Sequence, residues 1–233
     1  MNPSISARTA LCGIILHPAA HTRSPAMHNC AFQALELDAR YLVFDVAPAN
    51  LEAALAGARA LGIRQLAVSL PHKVAVMNFL DEVDPVARQI GAVNTITRDA
   101  ERLVGANTDW LGAVKALEST TRLDGSRAVV LGAGGTARAV VYGLQQRGAE
   151  VIILNRTEAR ARELAEAAGA MSWGPLESLE DTPHDILVNT TSVGLGSDES
   201  PVAASMLRPE SVVMDAVYDP ERTRLLRDAE AQG

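Results

Sequence analysis

The sequence predicts an α/β protein of two domains, and three observations support this fold class. Short runs of β-branched and apolar residues alternate with helix-like segments along all 233 residues, as expected of βα units around mostly parallel sheets. A glycine-rich turn at Gly132 follows one of these runs and opens a helix, which is typical of a Rossmann-like domain. Irregular polar loops are concentrated before Ala106. We therefore expect an N-terminal α/β substrate domain over residues 1–106, a C-terminal Rossmann-like domain over residues 107–233, and a cleft between them.

The elements of the first domain follow from start and stop signals. Ser24 and Pro25 should begin a helix, since Pro is favoured at the first helical position and Ser before it can cap. Asn50 should cap a second helix that ends at Gly62. The predicted strands are LCGIIL, YLVFDV and LAVSL, and the segments NTITRD and RLVGANTD alternate around a polar turn as a hairpin does.

The second domain should begin with a helix from about Asp109 to Ser119 and continue with strands and helices in turn. A second helix, TARAVVYGLQQRG, follows the glycine-rich turn. The predicted strands are AVVLG, VIILN, DILVNTT and VVMDAVY.

The composition is that of an ordinary soluble globular protein and narrows the function classes. A formal net charge of -7 argues against the polyanion-binding surface that nucleic-acid proteins carry. Cys12 and Cys30 are too few for a disulfide framework, so reduced thiols in the cytoplasm are expected. The N-terminus lacks the pattern of a signal peptide, and no apolar run approaches the length of a membrane span. Neither nucleic acid nor a membrane is expected as a partner.

A dinucleotide site is indicated by the spacing of Gly132, Gly134 and Ala137, which satisfies G-x-G-x-x-[GA] between a strand and a helix. The first glycine makes the tight turn, the second lets the backbone approach a pyrophosphate, and Ala137 keeps the helix close to the strand. The helix N-terminus offers free N–H groups and its positive dipole end to phosphates. The candidate cofactor contacts in this turn are Gly132, Ala133, Gly134, Gly135 and Thr136.

The segment VIILNRTEAR indicates which dinucleotide binds. About twenty residues after the glycines, an Asp or Glu usually holds the adenosine ribose, but this segment supplies Arg156 and Arg160 instead. Arg takes a phosphate in a planar, charge-assisted fork, whereas Asp would repel it, so NADP is the expected cofactor. Asn155 and Thr157 can donate further hydrogen bonds. The alternative is that both arginines are the solvated start of a helix.

Four loops of small polar residues complete the pattern: HTRSPAMHN, VSLPHK, GAVNT and GANTD. Together with GAGGTARA and NRTEAR, these motifs resemble the shikimate dehydrogenase family, the reductases that interconvert 3-dehydroshikimate and shikimate. The resemblance extends from about Gly13 to the end of the chain. It implies NADP-dependent hydride transfer in chorismate and aromatic amino-acid biosynthesis, by a monomer or homodimer that binds shikimate or 3-dehydroshikimate.

The resemblance also implies roles for single residues. Lys73 is the position of the catalytic lysine, and Asp109 is that of its acidic partner. Three positions depart from the usual pattern: Thr22 and Ser69 exchange one hydroxyl residue for another, and Ala216 replaces a larger residue against the nicotinamide. The positions implied to contact substrate are Thr22 and Ser24 at its carboxylate, Ser69 and Asn94 at ring hydroxyls, and Tyr218, with Lys73 and Asp109 beside them.

Elementary chemistry is consistent with the role of Lys73. Hydride reduction of a ketone develops negative charge on oxygen, which a positioned ammonium stabilises and can protonate. The 21 basic residues include only two lysines, Lys73 and Lys115, so a lysine retained in such an arginine-rich chain is notable. The alternatives are a surface lysine after a Pro turn and, for Asp109, a helix N-cap, which is compatible with catalysis.

Two further features have plain alternatives. His17, His21 and His28 could suggest a metal site, but Pro18 favours a loop and no acidic cluster joins them, so no metal is expected. The loop over residues 189–194 is expected to pass the nicotinamide, although it could be an ordinary polar strand exit.

The end of the chain keeps other functions open. Members of the family usually continue beyond the last residues of this sequence with a glycine-rich loop and a helix that carries a substrate-binding Gln, and that segment is absent from the given chain. This absence favours, as one alternative, a truncated, non-catalytic nucleotide-binding protein. Thr22 and Ser69 keep open a second alternative, a quinate/shikimate dehydrogenase or a paralogue with an altered substrate.

Overall fold

The structure is a computed structural model that describes residues 5–19 and 22–233. It divides into two compact units, one up to Thr108 and one from Asp109. The division falls two residues after the expected position because Asn107 and Thr108 bond back into the first unit. The Asn107 amide donates to the carbonyl of Ala92 at 2.9 Å, and the Thr108 N–H donates to the side chain of Asn94 at 3.0 Å. The predicted α/β fold class is confirmed.

The first unit is built on a mixed six-stranded sheet with the order β2-β1-β3-β5-β6-β4. β1 runs parallel to β2 and β3, whereas β5 is antiparallel to both β3 and β6, so the predicted hairpin is confirmed. Its strands are β1 Ala10–Leu16, β2 Ala39–Asp45, β3 Gln65–Val68, β4 Glu82–Val83, β5 Thr95–Asp99 and β6 Arg102–Ala106.

The helices of the first unit are α1 Ser24–Ala34, α2 Leu51–Ala60 and α3 Pro85–Ile90. The predicted caps of the first two helices were wrong: among the described residues, neither Ser24 nor Asn50 caps with its side chain. Ser24 already lies in the first turn, and its hydroxyl accepts from that of Thr22. Asn50 closes the 3-10 turn Pro48–Asn50 and so lacks the extended backbone that a cap requires. Gly62 has the expected left-handed backbone, with a φ of 69°.

The core of the first unit lies on both faces of its sheet. On one face, Leu55 of α2 packs with Val68, Ile96 and Leu103 of the strands. On the other, Cys12 and Tyr41 pack with Phe32 of α1. Because apolar side chains hold the strands in this core, the polar residues that follow each strand lie at the carboxyl end of the sheet.

The second unit is built on a fully parallel sheet with the order β11-β10-β7-β8-β9. Its central strands are apolar at successive positions because helices cover both faces of such a sheet. The strands are β7 Arg127–Leu131, β8 Glu150–Leu154, β9 Ser172–Gly174, β10 Ile186–Asn189 and β11 Val212–Asp215, and the helices are α4 Asp109–Glu118, α5 Gly135–Gln146, α6 Glu158–Ala168 and α7 Arg224–Gln232.

Two apolar clusters flank the second sheet. Val130 and Ile153 face Val140 of α5 on one side, whereas Val129 and Leu187 face Leu225 of α7 on the other. Helices α4 and α5 approach closely at Gly143, since a Cβ atom there would lie 3.0 Å from the carbonyl oxygen of Trp110.

Within residues 5–19 and 22–233, no helix combines the length and the apolar character that crossing a bilayer requires.

Candidate functional site

Polar loops of the first unit lie together where β1, β2 and β3 end. The N–H of Ser69 donates to the carbonyl of Ile15 at 3.0 Å, and that of His17 donates to the carbonyl of Leu70 at 3.0 Å. The N–H of Val46 donates to Leu16 at 3.0 Å. These bonds hold the turn after β3 beside the exits of β1 and β2.

Lys73 follows that turn, and its backbone is fixed on two sides. Its carbonyl accepts the N–H of Val93 at 2.7 Å, which ties it to the residue before Asn94. The preceding residue, His72, is only 1% exposed, and its Nε2 donates to the carbonyl of Val46 at 2.7 Å. The half-buried side chain of Lys73 thus extends from a backbone that is anchored to the residue after β2 and to the segment before β5.

Asn94 joins two of the predicted motifs, GAVNT and GANTD. Its Nδ2 donates to the hydroxyl of Thr108 at 2.9 Å, and its Oδ1 accepts the N–H of Thr108 at 3.0 Å. The same Oδ1 accepts the hydroxyl of Thr95 at 2.9 Å. These contacts hold the half-buried amide at the head of β5, within the unit that also contains Lys73.

Thr22 and Ser24 lie at the start of α1. The Thr22 hydroxyl donates to that of Ser24 at 3.2 Å, and the Ser24 N–H donates back to Thr22 at 3.3 Å. Two adjacent hydroxyls at a helix N-terminus provide donors and a positive dipole end, which suit a carboxylate.

The histidines of this region do not form a metal site in the described residues. His17 pairs through Nδ1 with Asp45 at 2.7 Å, and this hydrogen bond lowers the pKa of the Asp45 carboxyl. His28 stacks on Tyr41 with ring centroids 4.1 Å apart. His21 lies outside the described residues. In the part of the chain that the structure describes, no group of metal-ligating side chains is found.

The glycine turn of the second unit has the geometry that its sequence predicts. Gly132 has a φ of 112°, and a Cβ atom there would lie 2.7 Å from the Thr190 hydroxyl. At Gly134, by contrast, a Cβ atom would enter open space. The backbone there is extended, with a φ of -88°, which any residue can adopt. Ala137 is fully buried against the sheet, and Gly135 begins α5. The half-buried Ala133 and Thr136 complete the turn. The space beside Gly134 suits a group that needs close approach to the backbone.

The arginine segment shares an edge of the sheet with that turn, because the N–H of Gly132 donates to the carbonyl of Leu154 at 2.8 Å. Arg156 and Arg160 are exposed on either side of Thr157, the residue that precedes α6. Asn155 donates through its amide to the carbonyl of Thr157 at 2.9 Å and so fixes this bend. Throughout the described residues, no carboxylate forms an ion pair with either arginine, whereas Arg162 pairs with Glu166.

A buried polar network lies at the ends of β10 and β11. The carboxylate of Asp215 accepts hydrogen bonds from the side chains of Asn189, at 2.8 Å, and Thr223, at 2.7 Å. Burial raises the pKa of Asp215, and these bonds oppose the shift. The half-buried Ala216 follows directly, and Tyr218 beyond it is 53% exposed.

The structure therefore groups the predicted residues within each unit. The first unit holds Thr22, Ser69, Lys73 and Asn94 in loops, and Ser24 at the start of α1. The second unit holds the glycine turn and the arginine segment at neighbouring strand ends. Asp109 is the first residue of α4 and belongs to the second unit, so its pairing with Lys73 stays a prediction.

Sequence reasoning missed three residues that organise these loops: His72, Asp215 and Thr223. His72 and Asp215 bond to Val46 and Asn189, each 26 residues away, and Thr223 bonds to Asp215 from another element, which motif spacing cannot show. One signal was available for Asp215, because a polar residue that ends an apolar strand of a parallel sheet often serves the site at that edge.

Comparison with known proteins gives a consistent family. Residues 14–96 match the model of the shikimate dehydrogenase substrate binding domain, and residues 114–202 match that of shikimate / quinate 5-dehydrogenase. The shikimate dehydrogenase (NADP(+)) of Thermococcus kodakarensis is 46% identical over 97% of this chain and 84% of its own length.

Solved structures agree with this result. The shikimate 5-dehydrogenase of Thermus thermophilus, in complex with NADP(H) and shikimate, superposes with a TM-score of 0.87 at 41% identity and covers 96% of this chain and 85% of its own. The ligand-free 5-ketofructose reductase of a Gluconobacter strain superposes with a TM-score of 0.84 at 37% identity, over 98% and 86% of the two chains.

Proposed function

The chain belongs to the shikimate dehydrogenase family, and from this premise we propose how its residues reduce 3-dehydroshikimate to shikimate with NADPH in chorismate biosynthesis. The observation that carries the proposal is the anchoring of Lys73 and Asn94 to one another's segments at the edge where the hydroxyl residues also lie. An ammonium, an amide and several hydroxyls fixed together suit a polyhydroxylated carboxylic acid better than an apolar ligand.

NADP is the cofactor, and the residues of the second unit fit it. The open space at Gly134 and the free N–H groups at the start of α5 would hold the pyrophosphate. Arg156 and Arg160, for which the described residues provide no carboxylate partner, would hold the 2′-phosphate with Asn155 and Thr157 beside them. When bound, the reduced nicotinamide supplies the hydride, and Ala216 would lie against its ring.

In this proposal, side chains of the first unit bind the substrate and protonate its ketone oxygen. Thr22 and Ser24 hold the carboxylate of the substrate, and Ser69 and Asn94 hold its ring hydroxyls. The Lys73 ammonium stabilises the charge that develops on the ketone oxygen and delivers the proton to it. The resemblance to the family assigns two residues of the second unit as well, Asp109 as the acidic partner of this lysine and Tyr218 as a further contact to the substrate.

A second candidate is a related substrate, either quinate or another polyhydroxylated compound. Thr22 and Ser69 favour it, because each shifts a methyl group at a position that would contact the substrate. The 5-ketofructose reductase that shares this fold demonstrates that a similar chain can serve a different carbonyl compound.

The thiols and the net charge of the chain suit a cytoplasmic setting with small-molecule partners. Cys12 and Cys30 are free thiols, which suits the reducing cytoplasm. The acidic net charge of -7 suits a partner set of small molecules without nucleic acid or membrane. The active form is a monomer or a homodimer.

Steady-state kinetics test the function directly. The chain is assayed with shikimate and with quinate, each with NADP and with NAD, by the absorbance of the reduced nicotinamide. We expect the highest kcat/KM for shikimate with NADP. A higher value for quinate would establish the second candidate, and no turnover on any of the four pairs would contradict both.

A further inference from the structure

Asp215 connects three separate segments of the second unit through one carboxylate. Its Oδ1 accepts the Asn189 amide at 2.8 Å and the N–H of Val217 at 2.9 Å. Its Oδ2 accepts the Thr223 hydroxyl at 2.7 Å. Asn189 and Thr223 are both fully buried, so these donors are shielded from water. Unmet buried donors are costly, which makes the carboxylate the group on which this arrangement depends.

Each of these contacts orders a longer stretch of chain. The Oδ1 of Asn189 accepts the N–H of Thr191 at 3.0 Å and its hydroxyl at 2.8 Å, which shapes the loop over residues 189–194. Thr223 caps α7, since its hydroxyl accepts the N–H of Leu226 at 3.4 Å. The bond to Val217 fixes the backbone between Ala216 and Tyr218.

Other bonds keep these stretches side by side without Asp215. The N–H of Ala216 donates to the carbonyl of Asn189 at 2.9 Å, and that of Gly196 donates to Asp219 at 3.2 Å. Loss of the carboxylate should therefore shift the segment from Ala216 to Tyr218 rather than release it.

We propose that Asp215 is a positioning residue for hydride transfer, because it sets the backbone of residues 216–218 against the loop over residues 189–194 and the start of α7. The proposal rests on the proposed function, in which Ala216 lies against the nicotinamide and Tyr218 lies near the substrate. Asp215 acts through these two residues and does not itself touch the reacting atoms.

Stability alone is a poor reason for an acid at this position. Burial raises the pKa of Asp215, so the ionised form is held against a desolvation cost. A carboxylate accepts all three bonds as they stand, whereas an amide would present an NH₂ group to one of the partners and force it to reorient. Three hydrogen bonds to one carboxylate hold the surrounding backbone in a defined local geometry.

The test compares the full chain with its Asp215→Asn variant. The measurements are kcat, KM for shikimate, Kd for NADP, the thermal midpoint, and the primary isotope effect with shikimate deuterated at the oxidised carbon. We expect kcat to fall by about 10- to 10²-fold, since small displacements of reacting groups cost this much. The isotope effect should rise because hydride transfer limits turnover more strongly. The Kd for NADP should change little, because the arginine segment belongs to β8 and α6.

Thr223 offers matched variants in case Asp215→Asn does not fold. Thr223→Ser keeps the hydroxyl and should retain the parental kcat and isotope effect. Thr223→Val keeps the shape but loses the hydroxyl, so kcat should fall and the isotope effect should rise. A merely structural role would lower the thermal midpoint of both Asp215→Asn and Thr223→Val and leave kcat and the isotope effect of the folded enzymes unchanged. That result would overturn the inference, whereas a parent without turnover on shikimate would overturn the proposed function itself.

Discussion

At the residue scale, the proposed chemistry depends on a few cationic side chains, and the backbone of one of them is fixed by hydrogen bonds. Lys73 is one of only two lysines in the chain, and its backbone is anchored through His72 and Val93. A side chain that starts from an anchored backbone loses less freedom when it reaches its working position. The backbone from which this ammonium extends is therefore fixed before a substrate binds.

Replacement of this lysine should affect chemistry more than binding. In Lys73→Ala, kcat should fall by about 10² to 10⁴, because a proton donor that acts in the transition state is removed. Steady-state kinetics and a fluorescence titration with NADP measure the two effects, and the Kd for NADP should be nearly unchanged. Lys115→Ala, at the exposed second lysine, is the matched control. A near-normal kcat in Lys73→Ala would show that Lys73 does not take part in catalysis.

The two arginines should determine the choice of dinucleotide. Arg156→Ala with Arg160→Ala removes charge-assisted bonds worth roughly 1.5 to 3 kcal/mol each, so the affinity for NADP should fall on the order of 10² or more. The affinity for NAD, which has no 2′-phosphate, should stay almost constant. Titration at two ionic strengths should also find salt sensitivity only in the parent.

Arg162→Ala is the control for that experiment, since Arg162 lies on the same helix and pairs with Glu166 at 2.8 Å. It should leave both dissociation constants unchanged. Equal weakening of NADP and NAD by the double substitution would mean that the arginines support the fold or the shared adenosine.

Motif residues could be predicted from the sequence because their chemistry is local. The spacing of Gly132 and Gly134 predicts a turn, and Arg156 occupies a position where an acidic residue is expected. His72 and Asp215 could not be predicted in the same way, because their partners at Val46 and Thr223 lie in other elements. Contacts of this kind depend on how strand ends meet.

At the element scale, the turn between β7 and α5 separates two uses of glycine. Gly132 needs its glycine for the fold, because its φ is 112° and the exit of β10 lies 2.7 Å from where a Cβ atom would be. Gly134 does not, because its backbone is ordinary and the space beside it is open. The same motif thus contains one structural and one ligand-facing position.

Substitution should separate the two roles. Gly132→Ala should cost about 1 to 3 kcal/mol in the free energy of unfolding, from strain and from the clash with Thr190. Gly134→Ser, in which the new hydroxyl can cap α5, should keep the parental stability and lose affinity for NADP. Urea denaturation and titration with NADP give both quantities. Unchanged NADP affinity in a stable Gly134→Ser would contradict the assignment of the open space to the cofactor.

Elements with strong periodic patterns were predictable, and the weakest ones were not. β4 has two residues and β9 has three, which is too short for a recognisable alternation. Helix α7 carries an apolar stripe, with Leu225 and Ala229 packed on the sheet, but at nine residues it is too short for this stripe to repeat along the sequence. Its position depends instead on the cap at Thr223 and the packing of Leu225.

At the scale of the whole molecule, two units with separate sheets and cores divide the work. The first has a mixed sheet and the second a parallel one, which agrees with the predicted α/β class. Their cores end in polar residues at the strand exits, where the candidate sites lie. The second unit also buries a titratable side chain, His184, just before β10 and so at the opposite end of that strand from the candidate site. Its protonation affects the stability of this unit.

His184 should make the protein less stable in mild acid. Its Nδ1 donates to the carbonyl of Thr182 at 2.8 Å, and its buried Nε2 has no partner among the described residues. Burial lowers its pKa below the usual 6.5, so the folded state keeps the ring neutral where the unfolded chain takes up a proton. The free energy of unfolding should therefore decrease as the pH falls below 6.5.

Urea denaturation of the parent and of His184→Gln over this range checks the expectation. The variant should lose part of the pH dependence, because the amide can still donate to Thr182 but does not titrate. Identical slopes in parent and variant would show that His184 is protonated equally in the folded and unfolded states.

In the proposed function, this chain transfers a hydride directly between shikimate and NADP. The most direct test of this transfer is a turnover of shikimate that carries deuterium at the carbon whose hydroxyl is oxidised, with NADP as the acceptor and the product analysed by mass spectrometry and NMR. The deuterium should appear at C4 of the reduced nicotinamide, and Lys73→Ala should slow the transfer without changing the position of the label. Deuterium released to water, or no reduction of NADP by shikimate, would contradict direct transfer.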